Sequence, residues 1–205
     1  MLTGTTIMDR QQTPPVVNIV GERIALGPLR RDLIPEYNRW RNDFFLQRTF
    51  GDLPKPVTQE EGTARHEKQT TTSDALWFTI YEIDGWKPIG RTDLFEIDWR
   101  NRSARYGIMI GEAEARGKGY GTETTRLMLD YAFTALGLQS VMLDVSEYNL
   151  AGRHAYEKAG FHEIGRRRQS DLLNGHLYDL ILMDCIATEF ESPVLSKVFA
   201  PDEAR

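Results

Sequence analysis

Hydrophobic spacing along the chain predicts strands and helices in alternating blocks. "GERIALGPL" (Gly21–Leu29) alternates as a strand, and "RDLIPEYNRWRNDFFLQRTF" then places Leu33, Tyr37 and Trp40 at helical intervals. Thr58 with Glu61 forms a capping-box pair that opens a second helix through about Gln69. "ALWFTIYEI" and "KPIGRTDLFEI" read as a hairpin turning at Asp84-Gly85, with Trp86 lengthening the loop. A fourth strand, "ARYGIMIG", runs into a glycine-rich stretch. Beyond it, Thr125, Met128, Leu129, Ala132, Phe133 and Leu136 mark the buried face of a helix, with Gly137 as its C-terminal stop. "LQSVMLDVSE" is the fifth strand, "AGRHAYEKAG" a short helix closed by Gly160, and "FHEIGRRRQSDL" with "HLYDLILMDCI" a hairpin turning at "LNG".

This order predicts one mixed α/β domain over residues 21–186. Residues 1–20 are expected as a flexible arm, because Pro14-Pro15 blocks regular structure, and residues 187–205 as a C-terminal tail.

Composition removes several function classes. The chain has 205 residues, 40% hydrophobic and 27% charged, as in an ordinary soluble domain. No apolar run approaches the roughly 20 residues of a membrane helix, and the first residues lack the pattern of a signal peptide. A net charge of −5 gives no sign of a nucleic-acid binder. Cys185 is the single cysteine and sits in an apolar strand, so it reads as a buried hydrophobe; a cytoplasmic location is expected. The histidines (His66, His154, His162, His176) show no ligand spacing, so no metal is expected.

The chemistry concentrates in "EARGKGYGTET" (Glu114–Thr124). Gly117, Gly119 and Gly121 alternate with residues that include Lys118, and Arg116 precedes them at the mouth of a helix. Bare backbone exposes N–H donors, and a helix N-terminus adds roughly +0.5 charge, which together favour a phosphate or pyrophosphate. The stretch lacks the G-K-[ST] ending of a Walker A loop and the second half of a dinucleotide fingerprint, which disfavours a nucleotide-phosphate binder. A tight turn in which glycines serve packing alone is the plain alternative.

Arg116-x-x-Gly119-x-Gly121 resembles the R/Q-x-x-G-x-G/A signature of the GNAT superfamily of acetyl-CoA-dependent N-acetyltransferases. "NLAGRHAYEKAGF" (Asn149–Phe161) is similar to the family's N-x-x-A-x-x-x-Y-x-x-x-G-F segment, and "GIMIG" to its strand before the loop. The opening "LRRDLIPEYNRWRND" resembles the branch of ribosomal-protein N-terminal and spermidine acetyltransferases. The resemblance implies a twisted, mostly antiparallel sheet of six to seven strands with about four helices, splayed between its fourth and fifth strands. It further implies that backbone N–H groups of Arg116, Gly117, Lys118, Gly119, Tyr120, Gly121 and Thr122 bind the pyrophosphate of acetyl-CoA, with the helix starting near Thr122. Met109 and Ile110 would bond the pantetheine arm, and the Asn149 amide would touch the cofactor. Tyr156 would be the acid that protonates the leaving sulfur. A homodimer is a family-level expectation.

One departure concerns the base. An alkyl ammonium at pH 7 costs about 4.6 kcal/mol to deprotonate. Relatives often carry Glu on the fourth strand where this chain has Arg105. Asp93, Glu96, Glu147 or a water relay could take its place. The acceptor groove of the family points to Trp40, Arg41, Asn42 and Tyr178, and the basic run Arg166–Arg168 would favour an acidic acceptor if it faced that groove. The acceptor is expected to be a small-molecule amine (polyamine, amino sugar or antibiotic) or a peptide N-terminus. A non-catalytic acyl-CoA-binding module is the alternative that the loss of the glutamate keeps open.

Overall fold

The computed structural model describes residues 14–51 and 53–202. Residues 1–13 of the expected N-terminal arm lie outside the described residues. Alternation produces eight strands: β1 (Ile19–Val20), β2 (Ile24–Pro28), β3 (Leu76–Glu82), β4 (Lys87–Asp98), β5 (Ser103–Ile110), β6 (Ser140–Ser146), β7 (His162–Leu173) and β8 (His176–Ile186). They form a sheet in the order β1-β2-β3-β4-β5-β6-β8-β7. The expected six to seven strands become eight because Ile19 and Val20, at the end of the expected arm, pair with Leu26 and Ala25. Ile19 is buried, so this pairing extends the core.

All neighbours are antiparallel except β5 and β6. Those two pair only through Ser103↔Ser140, Ala104↔Val141 and Arg105↔Met142. Past Arg105 they part. This is the expected splay, and it opens a wedge beside Gly107–Ile110.

Six helices accompany the sheet among the described residues: α1 (Ile34–Arg41), α2 (Phe44–Gln47), α3 (Gln59–Thr71), α4 (Tyr120–Asp130), α5 (Leu150–Ala159) and α6 (Leu195–Val198). The single helix expected across Arg31–Phe50 is broken at Asn42-Asp43. Asn42 bonds the Asn38 carbonyl and both backbone groups of Val57, while Asp43 caps α2 by accepting from the Phe45 N–H. Short polar side chains that bond nearby backbone favour such breaks. The α3 capping box forms as expected, with Thr58 and Glu61 bonded reciprocally.

Met128, Leu129 and Ala132 of α4 and its continuation pack on Leu94, Ala104, Val141 and Phe161 in the main core. The continuation, Tyr131–Ala135, is a wider π-helical turn, and Gly137 ends it with a positive φ of 66°. On the other face of the sheet, Tyr37, Trp40 and Leu46 form a second cluster with Met109. Residues 187–198 are not a loose tail. Buried Asp130 accepts from the Val194 and Leu195 N–H groups and from Ser192, and Phe190 packs edge-on against Phe133.

Candidate functional site

The wedge between β5 and β6 is the mouth of a cavity of about 490 Å³. Its walls come from the end of β5 (Ile108, Met109, Ile110), the glycine loop, the start of α5, and the α2 segment Phe45–Phe50. Nine of the residues singled out by sequence meet here: Met109, Ile110, Arg116, Gly117, Gly119, Gly121, Thr122, Asn149 and Tyr156.

The loop has the backbone that its glycines suggested. Gly117 and Gly119 take positive φ values of 74° and 85°, which any residue with a Cβ adopts at a cost. Gly119 caps α4 with no side-chain hydrogen bond, and the first helical bond is Glu123 N–H to the Gly119 carbonyl. The N–H groups of Tyr120, Gly121 and Thr122 therefore have no partner within the helix. The helix begins at Tyr120, two residues before the expected Thr122, and Glu123 in its first turn faces the approach to β2. Its carboxylate accepts from the Glu22 and Arg23 N–H groups and holds β2 against the loop.

Two loop residues contribute backbone alone. Tyr120 is buried and its hydroxyl donates to Glu82 at 2.5 Å; Lys118 neighbours the Tyr120 ring, and its carbonyl accepts from Arg23. Neither lines the cavity. Arg116 does line it, but its guanidinium donates to the carbonyls of Ile110 and Gly111 and lies 3.7 Å from Asp43. It fixes the loop to the end of β5. Asn149 lends its side-chain oxygen to the Gly152 N–H as the cap of α5, at 3.0 Å.

Tyr156 projects from α5 into the wall, its ring edge-on to Tyr106 and Phe161 at 6.2 and 6.0 Å. Part of the ring remains accessible along the cavity, yet the packed aromatics withhold water and push the phenol up to about 12. The hydroxyl therefore stays protonated at neutral pH.

A second, smaller lobe of about 10 Å³ shares Phe50 and Met109 with the cavity. Tyr37, Arg41, Trp77, Arg91 and Asp93 complete its lining. Asp93 is 6% exposed, and burial pushes its carboxyl up to about 7 against the pull of Arg91 and Arg41. Arg91 is equally buried, donates to Gln69 of α3 at 2.7 Å, and lies over the rings of Tyr37 and Trp77. Burial lowers its pKa, but it remains charged at neutral pH.

Of the other residues considered for the base or groove, Arg41 alone lines the cavity or its lobe among the described residues. Arg105 pairs with Asp144 across the last β5–β6 rung and lies 3.9 Å from Glu96. The Glu96 side chain is 68% exposed on a bulge with φ 50°. Glu147 accepts from the Asp179 N–H, Trp40 stacks beneath Gly111, and Tyr178 packs on Tyr148. Arg166–Arg168 are exposed on the edge strand β7. Tyr37, Trp77 and Arg91 were not singled out for the site, and the signal for Arg91 was thin: a charged residue two positions from Asp93 on an otherwise covered strand.

Residues 23–162 match the family model described as Acetyltransferase (GNAT) domain. The chain belongs to the GNAT acetyltransferases. It is thus an N-acetyltransferase with the mixed α/β fold of that family. A probable N-acetyltransferase of Bacillus subtilis is 30% identical over 176 residues, covering 85% of this chain and 91% of the relative. A spermidine N(1)-acetyltransferase of Escherichia coli is 36% identical over 163 residues, covering 80% and 85%. Among solved structures, the spermidine N-acetyltransferase of Vibrio cholerae in complex with CoA and spermine superposes with a TM-score of 0.76 at 26% identity, covering 82% of this chain and 97% of that one. Among the described residues of this GNAT chain, no helix is long and apolar enough to cross a membrane, and no group of three or more His, Cys, Asp or Glu could hold a metal.

Proposed function

We propose that this protein transfers an acetyl group from acetyl-CoA to a primary amine by direct attack, with Asp93 as base and Tyr156 as acid. The observation that carries the reading is the placement of a carboxyl raised to about 7 and a phenol raised to about 12 on two adjoining cavities that share Phe50 and Met109 as walls. Titratable groups driven apart in this way suit acid and base roles at neutral pH.

The residues fit the cosubstrate. The N–H groups of Gly121 and Thr122, at the start of an 11-residue helix, suit a pyrophosphate, and open backbone along Met109–Ile110 suits an amide-bearing arm. When bound, acetyl-CoA supplies the acetyl group as a thioester. Asp93, ionised in about half the molecules near pH 7, accepts the proton that the amine must lose. Tyr156 donates its proton to the departing sulfur. The proton gained at Asp93 then leaves to solvent, and Tyr156 is reprotonated.

Arg105 ceases to be an obstacle on this reading, because the carboxylate sits one strand away, on β4. The test is release of the CoA thiol from acetyl-CoA with polyamines, aminoglycosides, amino sugars and short peptides. Turnover with one class supports the reading; silence across all of them, with acetyl-CoA still binding, sinks it.

A further inference from the structure

Charge in the cavity departs from what a polyamine requires. A polyamine presents two or more ammonium groups, and each one removed from water needs an anionic or strongly accepting partner. Among the described residues lining the cavity and its side lobe, Asp93 is the single carboxylate, whereas Arg41, Arg48, Arg91, Arg116 and Lys158 are cations. Arg48, Arg116 and Lys158 line the large cavity, where a phosphate-bearing cosubstrate would be held. Arg41 and Arg91 line the lobe with Asp93 and face the acceptor instead.

That lobe also holds donors in want of an acceptor. The Arg91 Nε and the Trp77 Nε1 are both buried with no hydrogen-bond partner. A buried donor left unpaired costs about 1–3 kcal/mol, which a ligand oxygen would recover. Arg91 is fixed in place by Gln69 and by the rings of Tyr37 and Trp77, so it cannot swing to solvent to satisfy itself. Arg91 and Asp93 are two residues apart on β4, hence on one face and about 7 Å apart along the strand. The lobe has room for about one water-sized group, enough for a single ligand oxygen.

Resting on the proposed amine acetylation, we infer that the acceptor is a small amine carrying a carboxylate or carbonyl oxygen a few bonds from its nitrogen. Arg91 and Trp77 receive that oxygen inside the lobe, while the ammonium stays in the large cavity and Asp93 faces it from the lobe. Polyamines are disfavoured by the buried Arg91 at the same spot. Arg91 is thus the specificity-determining residue of the acceptor lobe, in place of the acidic lining that a polycation would need.

The experiment compares chain-matched amines: ω-amino acids of two to five carbons, their carboxamides, the diamines of equal length, and spermidine. Thiol release gives kcat/KM for each, and calorimetry on the CoA-saturated protein gives binding. An advantage of at least about tenfold for the amino acid over its diamine is expected, corresponding to about 1.4 kcal/mol. Equal rates for acid and carboxamide would show that the carbonyl is read, and a preference for the acid that the charge is read; both support the inference. Arg91→Gln should abolish the preference. Should that variant misfold, Trp77→Phe keeps the ring, removes one donor, and should reduce the preference several-fold. Faster turnover of diamines or spermidine overturns this inference and leaves the acetyltransferase reading intact. No turnover of any amine, with CoA still bound, overturns both.

Discussion

Asp93 of β4 and Gly107 of β5 stand opposite each other in the sheet, and a methyl group on Gly107 would lie 3.0 Å from the Asp93 carboxylate. The strand that lacks an acid at Arg105 thus leaves space, two residues on, for the acid of its neighbour.

Replacing Asp93 by Asn should lower kcat by about 10²–10⁴-fold, the range of a positioned proton acceptor. In the parent protein, kcat should rise with pH through about 7 as Asp93 ionises, and it should stay level well beyond pH 9 because the Tyr156 phenol holds its proton to about 12. A pH–rate profile of Asp93→Asn that keeps the limb near 7 would assign that limb to another group. Gly107→Ala should slow turnover without weakening acetyl-CoA binding.

The same carboxyl has a signature in stability. Its pKa is about 7 folded and near 3.8 unfolded, so between these values the folded state holds a proton that the unfolded state has released. Stability contributed at this site therefore falls as pH rises from about 4 to about 7. The full shift corresponds to about 4 kcal/mol. Asp93→Asn should raise Tm at pH 8 and change it far less at pH 4, as read by thermal melts at both.

Tyr156→Phe should reduce turnover by about 10²-fold while calorimetric affinity for acetyl-CoA is retained. Unchanged turnover would leave Tyr156 with only its packing against Tyr106 and Phe161.

Gly121 offers the cleanest probe of the loop. It is not among the positive-φ residues, and a Cβ there meets nothing within 4 Å. Gly121→Ala should leave the fold intact or stabilise it by up to about 1 kcal/mol through helix propensity. A raised KM for acetyl-CoA would then report on the ligand alone. At Gly119 the φ of 85° and a 3.1 Å approach to Arg23 would confound the measurement.

Asp130→Ala should release the C-terminal segment from the end of α4. The buried Leu195 N–H and the part-buried donors of Ser192 and Val194 would lose their shared carboxylate, at a cost of about 3 kcal/mol. Hydrogen exchange at Val194 and Leu195 would show it directly.

Much of the architecture was written in local patterns. Periods of two and near 3.6 marked β2 to β8 and α3 to α5, because one buried face repeats along each element. The glycines at 117 and 119 announced left-handed turns that other residues resist. Long-range effects were less legible. Nothing near Asp130 announces that it will bond amides 64 and 65 residues away. The break at Asn42-Asp43 depends on Val57, which lies in another loop. Asp93 was one of several carboxylates near the cleft strands, and only the helices α1 and α3 laid over β4 bury it beside Arg91.

The three rungs that join β5 to β6 give the molecule the mechanics of a clothes-peg. One jaw is the sheet from β1 to β5, the other is β6, β8 and β7, and the spring lies where Arg105 meets Asp144 at the last rung. The residue that looked misplaced as a catalyst sits at that pivot and, through Asp144, ties one jaw to the other at the point where their backbones part.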